Sequence, residues 1–145
     1  MVSLKADALE KVRLGVMVSG GGTTLQNLAE VIARGELAAE IACVIASNRH
    51  CFGIERARGL GIPVEIITRK EAGSLEAFSE RIGETLRQYR VDLALMAGYL
   101  SLWQIPADFE GRVLNIHPAL LPKFGGKGRH GEHVHAAVLA AGETE

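Results

Sequence analysis

Short, nearly continuous apolar runs alternate along this chain with stretches whose apolar residues recur at helical spacing, and that alternation restricts the fold more than any other feature. The first run covers residues 13–18 and contains Leu14, Val16, Met17 and Val18. Apolar toward both faces, it suits a strand buried within a parallel sheet. It stops at Ser19-Gly20-Gly21-Gly22. After Thr23 and Thr24, the residues Leu25, Leu28, Val31 and Ile32 mark one side of a helix that closes at Arg34-Gly35, a cationic last turn followed by glycine. The cycle then repeats, with a strand at 41–46, a short helix at 54–60 and a strand at 63–67. A longer amphipathic helix over 74–89 follows, its stripe formed by Leu75, Phe78, Ile82, Leu86 and Tyr89. Strands at 91–97 and 113–116 and a helix at 133–141 complete the pattern. Such alternation defines βαβ units, so the expected fold is α/β: a three-layer, Rossmann-like domain around a mostly parallel sheet.

Composition excludes several classes. The 145 residues are 48% apolar and 23% charged, enough for one packed domain without disulfides or metal. Sixteen basic and seventeen acidic residues are interspersed and leave a net charge of -1, with no basic stripe for nucleic-acid phosphates. No apolar run reaches membrane-spanning length, and residues 1–11 form a charged N-terminal extension without a signal-type apolar region. Cys43 and Cys51 have no metal or C-x-x-C spacing, so free thiols in a reducing cytoplasm are expected. The domain is expected to occupy 12–145. A chain that ends on a helix leaves the sheet unfinished, since an αβ unit usually returns to it; further C-terminal strands are expected.

Two segments carry chemistry. Gly20, Gly21 and Gly22 let backbone amides approach an anion without obstruction, while the helix starting near Thr23 points its positive end and free N–H groups to the same place. Glycines alone leave two readings open, a phosphate cradle or a tight turn that needs positive φ. A dinucleotide fingerprint would want an acidic residue at the end of the second strand. That strand ends Ala46-Ser47-Asn48, and Glu40 precedes it at the other edge of the sheet. The G-K-[ST] of a triphosphate loop is also missing, so a simple phosphomonoester is the better match.

The second segment is Asn115-Ile116-His117-Pro118. Residues i and i+2 of a strand share a face, here near the C-terminal edge where open α/β sheets bind ligands. A carboxamide can donate to a developing oxyanion while an imidazole beside it handles protons, a pair suited to acyl transfer. A structural histidine and an Asx-type turn into Pro118 is the alternative that spacing leaves open.

The run Asn115-Ile-His-Pro-Ala-Leu-Leu-Pro-Lys-Phe-Gly-Gly-Lys-Gly128 resembles the signature of glycinamide ribonucleotide formyltransferases. Ser19-Gly-Gly-Gly-Thr-Thr-Leu-Gln26, Phe52-Gly-Ile-Glu-Arg-Ala57 and Met96-Ala-Gly-Tyr-Leu100 extend the resemblance, in order, over most of residues 12–142. It implies transfer of a formyl group from 10-formyltetrahydrofolate, the co-substrate, to the amine of glycinamide ribonucleotide in purine biosynthesis, without metal. It further implies His117 as the acid/base and Asn115 as the oxyanion donor. Gly20, Gly21, Gly22, Thr23, Thr24 and Pro118 would contact the phosphorylated substrate. Leu100, Ser101, Leu102 and Trp103, with Asn115, would line the folate site. Ser101 and Leu75 stand where relatives carry arginine. The family's third catalytic residue, an aspartate, follows the helix that closes near Gly142, so the 145 residues by themselves are expected to be inactive or nearly so.

Three other functions share parts of this pattern. Formyltetrahydrofolate hydrolysis would use the same residues with water as acceptor, but has no need of the phosphate cradle and usually accompanies an N-terminal regulatory domain. Aminoacyl-tRNA formylation calls for a basic appended domain. A noncatalytic nucleotide- or folate-binding fragment is the reading from a different class. His130, His133 and His135 lack metal-ligand spacing, since i and i+2 on a helix do not share a face. Lys123, Lys127 and Arg129 form either a solvated loop or a steering patch for an anion. No nucleic-acid or membrane partner is expected, and the protein would act as a monomer or homodimer. The spatial expectation is that Asn115 and His117 share a cleft with the loop at 20–24.

Overall fold

A computed structural model describes residues 11–116. In chain order it contains β1 (Val12–Val18), α1 (Thr23–Ala33), β2 (Ala39–Ala46), α2 (Gly53–Gly59), β3 (Val64–Ile66), α3 (Arg69–Ala72), α4 (Leu75–Gln88), β4 (Leu93–Ala97), a 3-10 turn (Ala107–Phe109) and β5 (Val113–Ile116). The five strands form one sheet in the order β3-β2-β1-β4-β5. Every pairing is parallel, so the expected α/β architecture is present. The helix expected at 133–141 lies outside the described residues.

The sheet separates two cores, which is why its strands are apolar on both sides. On one face Val16, Val18, Val44, Leu95 and Ile116 pack with Leu25 and Leu28 of α1 and Ile54 and Ala57 of α2. On the other, Met17, Cys43, Ile45 and Ala94 pack with Phe78, Ile82 and Leu86 of α4, joined by Tyr99, Trp103 and Phe109. Helices on both faces make the three layers.

Local chemistry sets the element ends. Ser74 Oγ accepts from the Ala77 N–H at 3.0 Å and Thr68 Oγ1 from the Glu71 N–H at 3.0 Å, satisfying amides that the first helical turns leave open. Helix α1 stops at Gly35, whose φ of 77° lets Glu36 N–H return to the Val31 carbonyl at 3.1 Å. Helix α4 ends with Arg90 at φ 55°, a conformation a side chain disfavours. Arg13 compensates by donating from its guanidinium to the carbonyls of Tyr89, at 2.8 and 3.1 Å, and Arg90, at 3.2 Å.

Among the strands, β4, β3 and β2 differ most from the sequence reading. Strand β4 begins at Leu93 because Val91 closes α4 on the Leu86 carbonyl at 2.9 Å. Strand β3 covers Val64–Ile66, shorter at both ends than expected. Strand β2 begins at Ala39, so Glu40 is inside it rather than before it. Glu40 nevertheless sits at the N-terminal edge, ion-paired to Arg13 at 2.7 Å, which leaves the argument against a ribose-binding acid intact.

Candidate active site at the strand C-termini

From β1 the chain winds outward through β2 to β3, then crosses back to place β4 on the other side of β1. The loops after β1 and β4 therefore diverge, and the crevice between them is where open α/β sheets take ligands. The glycine loop leaves β1 here, and the segment beginning Gly98-Tyr99-Leu100 leaves β4.

Small polar side chains tie these loops together. Ser19 N–H donates to the Gly98 carbonyl at 3.2 Å. Ser19 Oγ accepts from Leu100 N–H at 2.8 Å and shares a 2.6 Å hydrogen bond with Ser47 Oγ. Asn48 Nδ2 donates to the Ser19 carbonyl at 3.0 Å, while its Oδ1 accepts from His50 N–H at 2.9 Å. The ends of β1, β2 and β4 are thus joined by bonds between residues 28 to 81 positions apart.

Gly22 occupies the N-cap of α1 with φ 81° and ψ 20°, and no side chain caps the helix. Its carbonyl accepts the first helical bond, from Gln26 N–H at 2.9 Å. The N–H groups of Gly21, Gly22 and Thr23 bond no acceptor among the described residues. Uncapped donors at a helix N-terminus are the arrangement that binds anions. Gly20, Gly21 and Thr23 are exposed, Gly22 is half-buried, and Thr24 is buried in the α1 side of the core.

Asn115 pairs with Met96 in the adjoining strand, and Met96 in turn with Met17 of β1. Paired residues of neighbouring strands share a face, so Asn115 lies on the α4 side, one row in from the last described row of Val18, Ala97 and Ile116. It is half-buried, and its carboxamide bonds none of the described residues. His117 and Pro118, the rest of the signature, and His130, His133 and His135 lie outside the described residues. Among the described residues no group of three or more metal-ligating side chains gathers.

After β4 the chain is pinned at both ends, by Ser19 at Leu100 and by Ser79 Oγ, which accepts from Gln104 N–H at 2.8 Å. Between these pins Leu100 and Leu102 stand 87% and 78% exposed, Ser101 is half-buried and Trp103 is buried in the α4 core. Tyr99 is buried beside them, and its hydroxyl has no hydrogen-bond partner among the described residues. Desolvation pushes that phenol well above its ordinary pKa. Cys43, buried within β2, is pushed up to about 12 by burial first and by the Glu65 carboxylate second, which leaves an unreactive thiol. Among the described residues, two open grooves of about 320 and 310 Å³ lie between α4 and residues 104–106 and between α1, β2 and the loop after α2. Neither of these two includes the glycine loop or Asn115.

Sequence reasoning missed Ser19, Ser47, Asn48, Gly53 and Arg56 as organisers of the loop. Gly53 N–H donates to the Gly20 carbonyl at 3.0 Å, and Arg56 Nε to the Gly21 carbonyl at 2.8 Å. The available signal was the segment 52–57, part of the resemblance but without a role.

A parallel sheet with helices on both faces and a glycine loop with uncapped amides at its switch point defines the class as a Rossmann-like α/β domain. The chain belongs to the formyl transferase family, which it matches over residues 12–145. It is 41% identical over 135 residues to the chloroplastic phosphoribosylglycinamide formyltransferase of Arabidopsis thaliana, covering 90% of this chain and 46% of that protein. The phosphoribosylglycinamide formyltransferase of Haemophilus influenzae is 34% identical over 135 residues, covering 92% of this chain and 61% of that one. In structure it is similar to glycinamide ribonucleotide transformylase 1 of Geobacillus kaustophilus, with a TM-score of 0.71 and 33% identity over 90% of this chain and 69% of that one. The chain spans about half the length of the curated relatives it matches.

Proposed function

We propose that this protein transfers the formyl group of 10-formyltetrahydrofolate to the amine of glycinamide ribonucleotide in purine biosynthesis. The observation that carries the reading is that Asn115, whose carboxamide bonds none of the described residues, and three loop amides that bond no acceptor among them lie toward the same C-terminal edge of the sheet. One strand separates β1 from β5, so the strands that carry these groups lie about 10 Å apart. A phosphorylated sugar that bears an amine can bridge that interval, with phosphate at Gly21, Gly22 and Thr23 and the amine near Asn115. The buried Thr24 would support the helix start rather than reach the ligand.

In this reading the amine nitrogen attacks the formyl carbon and a new C–N bond forms. The carbonyl electron pair moves to oxygen, where Asn115 Nδ2 donates to the negative charge that develops. His117 takes a proton from the attacking nitrogen and returns one to N10 of the folate as the old C–N bond breaks, releasing tetrahydrofolate. Leu100 and Leu102, exposed on a segment pinned at both ends, would cover the apolar part of the folate, and Trp103 would anchor that segment from the core. Free buried thiols at Cys43 and Cys51 suit a reducing cytoplasm.

The test is a formyl-transfer assay on the full-length protein, following tetrahydrofolate release with and without glycinamide ribonucleotide. Release should require the ribonucleotide. Asn115→Ala should lower kcat by about 10²–10³-fold, and His117→Asn by about 10²–10⁴-fold, with little change in the urea midpoint. Formate release without the acceptor would replace this reading with hydrolysis, and no release at all would reject it.

A further inference from the structure

The segment Phe52-Gly53-Ile54-Glu55-Arg56-Ala57 has no role in the chemistry above, yet it makes the closest contacts with the glycine loop. A Cβ built on Gly22 would lie 2.7 Å from the Gly53 Cα and 3.1 Å from the Arg56 Cδ. Loop and helix therefore meet backbone to backbone. Gly53 N–H holds the Gly20 carbonyl and Arg56 Nε holds the Gly21 carbonyl. In a trans peptide the C=O and the following N–H point in opposite directions. Drawing the carbonyls of Gly20 and Gly21 toward α2 turns the N–H groups of Gly21 and Gly22 away from it, to the open side of the loop. A run of backbone N–H groups presented in this way is an anion nest.

Phe52 completes the arrangement. It is exposed, an unusual place for an aromatic ring, and the Arg56 guanidinium lies 5.2 Å from its centroid. The ring restricts the guanidinium to the position in which Nε reaches the Gly21 carbonyl, consistent with a cation–π contact. The geometry points to Arg56 as a positioning residue for substrate phosphate: by holding the Gly21 carbonyl it presents the Gly22 N–H to the anion before the ligand arrives. The inference rests on the phosphate reading of the glycine loop and adds the residue that sets the loop's donors.

Glutamine separates hydrogen bonding from charge, because its Nε2 lies as many bonds from Cα as arginine Nε does. Arg56→Gln keeps a donor for the Gly21 carbonyl without charge, Arg56→Lys keeps charge without a donor at that place, and Arg56→Met has neither. Calorimetric titration of the full-length protein with glycinamide ribonucleotide should show affinity about tenfold weaker or more for Met, as for loss of an aligned donor. Gln should restore it to within about threefold, and Lys should not. Affinity for the unphosphorylated riboside should be the same in all four proteins, and in turnover KM for the ribonucleotide should rise with kcat retained. Equal affinity of wild type and Met, an equal loss for the riboside, or rescue by Lys but not Gln would overturn the proposal. A parallel titration with inorganic phosphate, read from the Gly21 and Gly22 amide NMR signals, keeps the two readings apart. Wild type that ignores glycinamide ribonucleotide but shows phosphate shifts lost in Met would defeat only the substrate assignment. Wild type whose two amides do not respond to phosphate would defeat the positioning role.

Discussion

Replacing Gly22 with alanine should destabilise the protein severely, whereas the same change at Gly20 should hardly be felt. Two costs add at Gly22. Its φ of 81° is left-handed, which costs a side-chain-bearing residue about 1–2 kcal/mol. The new methyl would also stand 2.7 Å from the Gly53 Cα, a backbone atom in the first turn of α2. Contacts that short force loop and helix apart, and overpacking of this kind costs about 1–3 kcal/mol. The sum, about 2–5 kcal/mol, is a large share of the roughly 5–15 kcal/mol that holds a domain folded. With a urea slope of about 1–3 kcal/mol/M, a loss near 3 kcal/mol lowers the midpoint by about 1–3 M. At Gly20 a methyl would meet nothing within 4 Å and φ is not positive, so the change should stay within about 0.5 kcal/mol. Urea unfolding followed by far-UV circular dichroism on both variants and wild type measures the contrast. Midpoints for the two variants within 0.3 M of each other (roughly the experimental spread implied by extrapolation error) would refute the claim that loop and α2 meet through paired glycines.

Tyr99→Phe should raise stability by about 1–3 kcal/mol, because it removes a buried hydroxyl without a partner among the described residues; a lower urea midpoint would show that the hydroxyl is satisfied. Asp108 is held below the ordinary carboxylate range, chiefly by its hydrogen bonds to Arg87 at 2.8 and 3.1 Å. A depressed folded pKa contributes stability above the unfolded value, and the contribution is lost as pH falls through the folded value. Urea midpoints measured from pH 7 down to pH 2 (roughly the carboxylate window) should therefore fall less steeply at the acid end for Asp108→Asn than for wild type. The pair is exposed, so the difference at pH 7 should be small, and parallel acid limbs would show that the pair has no stabilising role.

The sheet was legible because its strands are buried on both faces. Runs such as Val16-Met17-Val18 and Val44-Ile45-Ala46 are apolar at every position, and only two-sided burial accounts for that. Strand ends were less legible, since Val91 and Asp92 look like strand by composition but serve α4 and Arg13 instead, through the Leu86 carbonyl and the Arg13 N–H. Within the site, Gly20–Gly22 and Asn115 could be picked out because their residue types are unusual for their places. Ser47, Gly53 and Arg56 could not, as each acts on a partner 28 to 35 positions away. Serine after a strand or arginine on a helix carries no local sign of such a partner.

This difference follows from how the site is built. Glycine lets the loop come close to α2, but it supplies no side chain to fix the loop's own orientation. The freedom that admits an anion would also let the peptides turn away from it. Gly53 and Arg56 restrict two of those peptides from α2, and Ser19, Ser47 and Asn48 restrict the approach from the strand ends. On the proposed reading, binding a phosphate would then require little ordering of the loop, so more of the interaction would appear as affinity. The proposed anion site, made of glycine, would thus depend on residues that never touch the anion, and those are the residues a motif read along the chain does not mark.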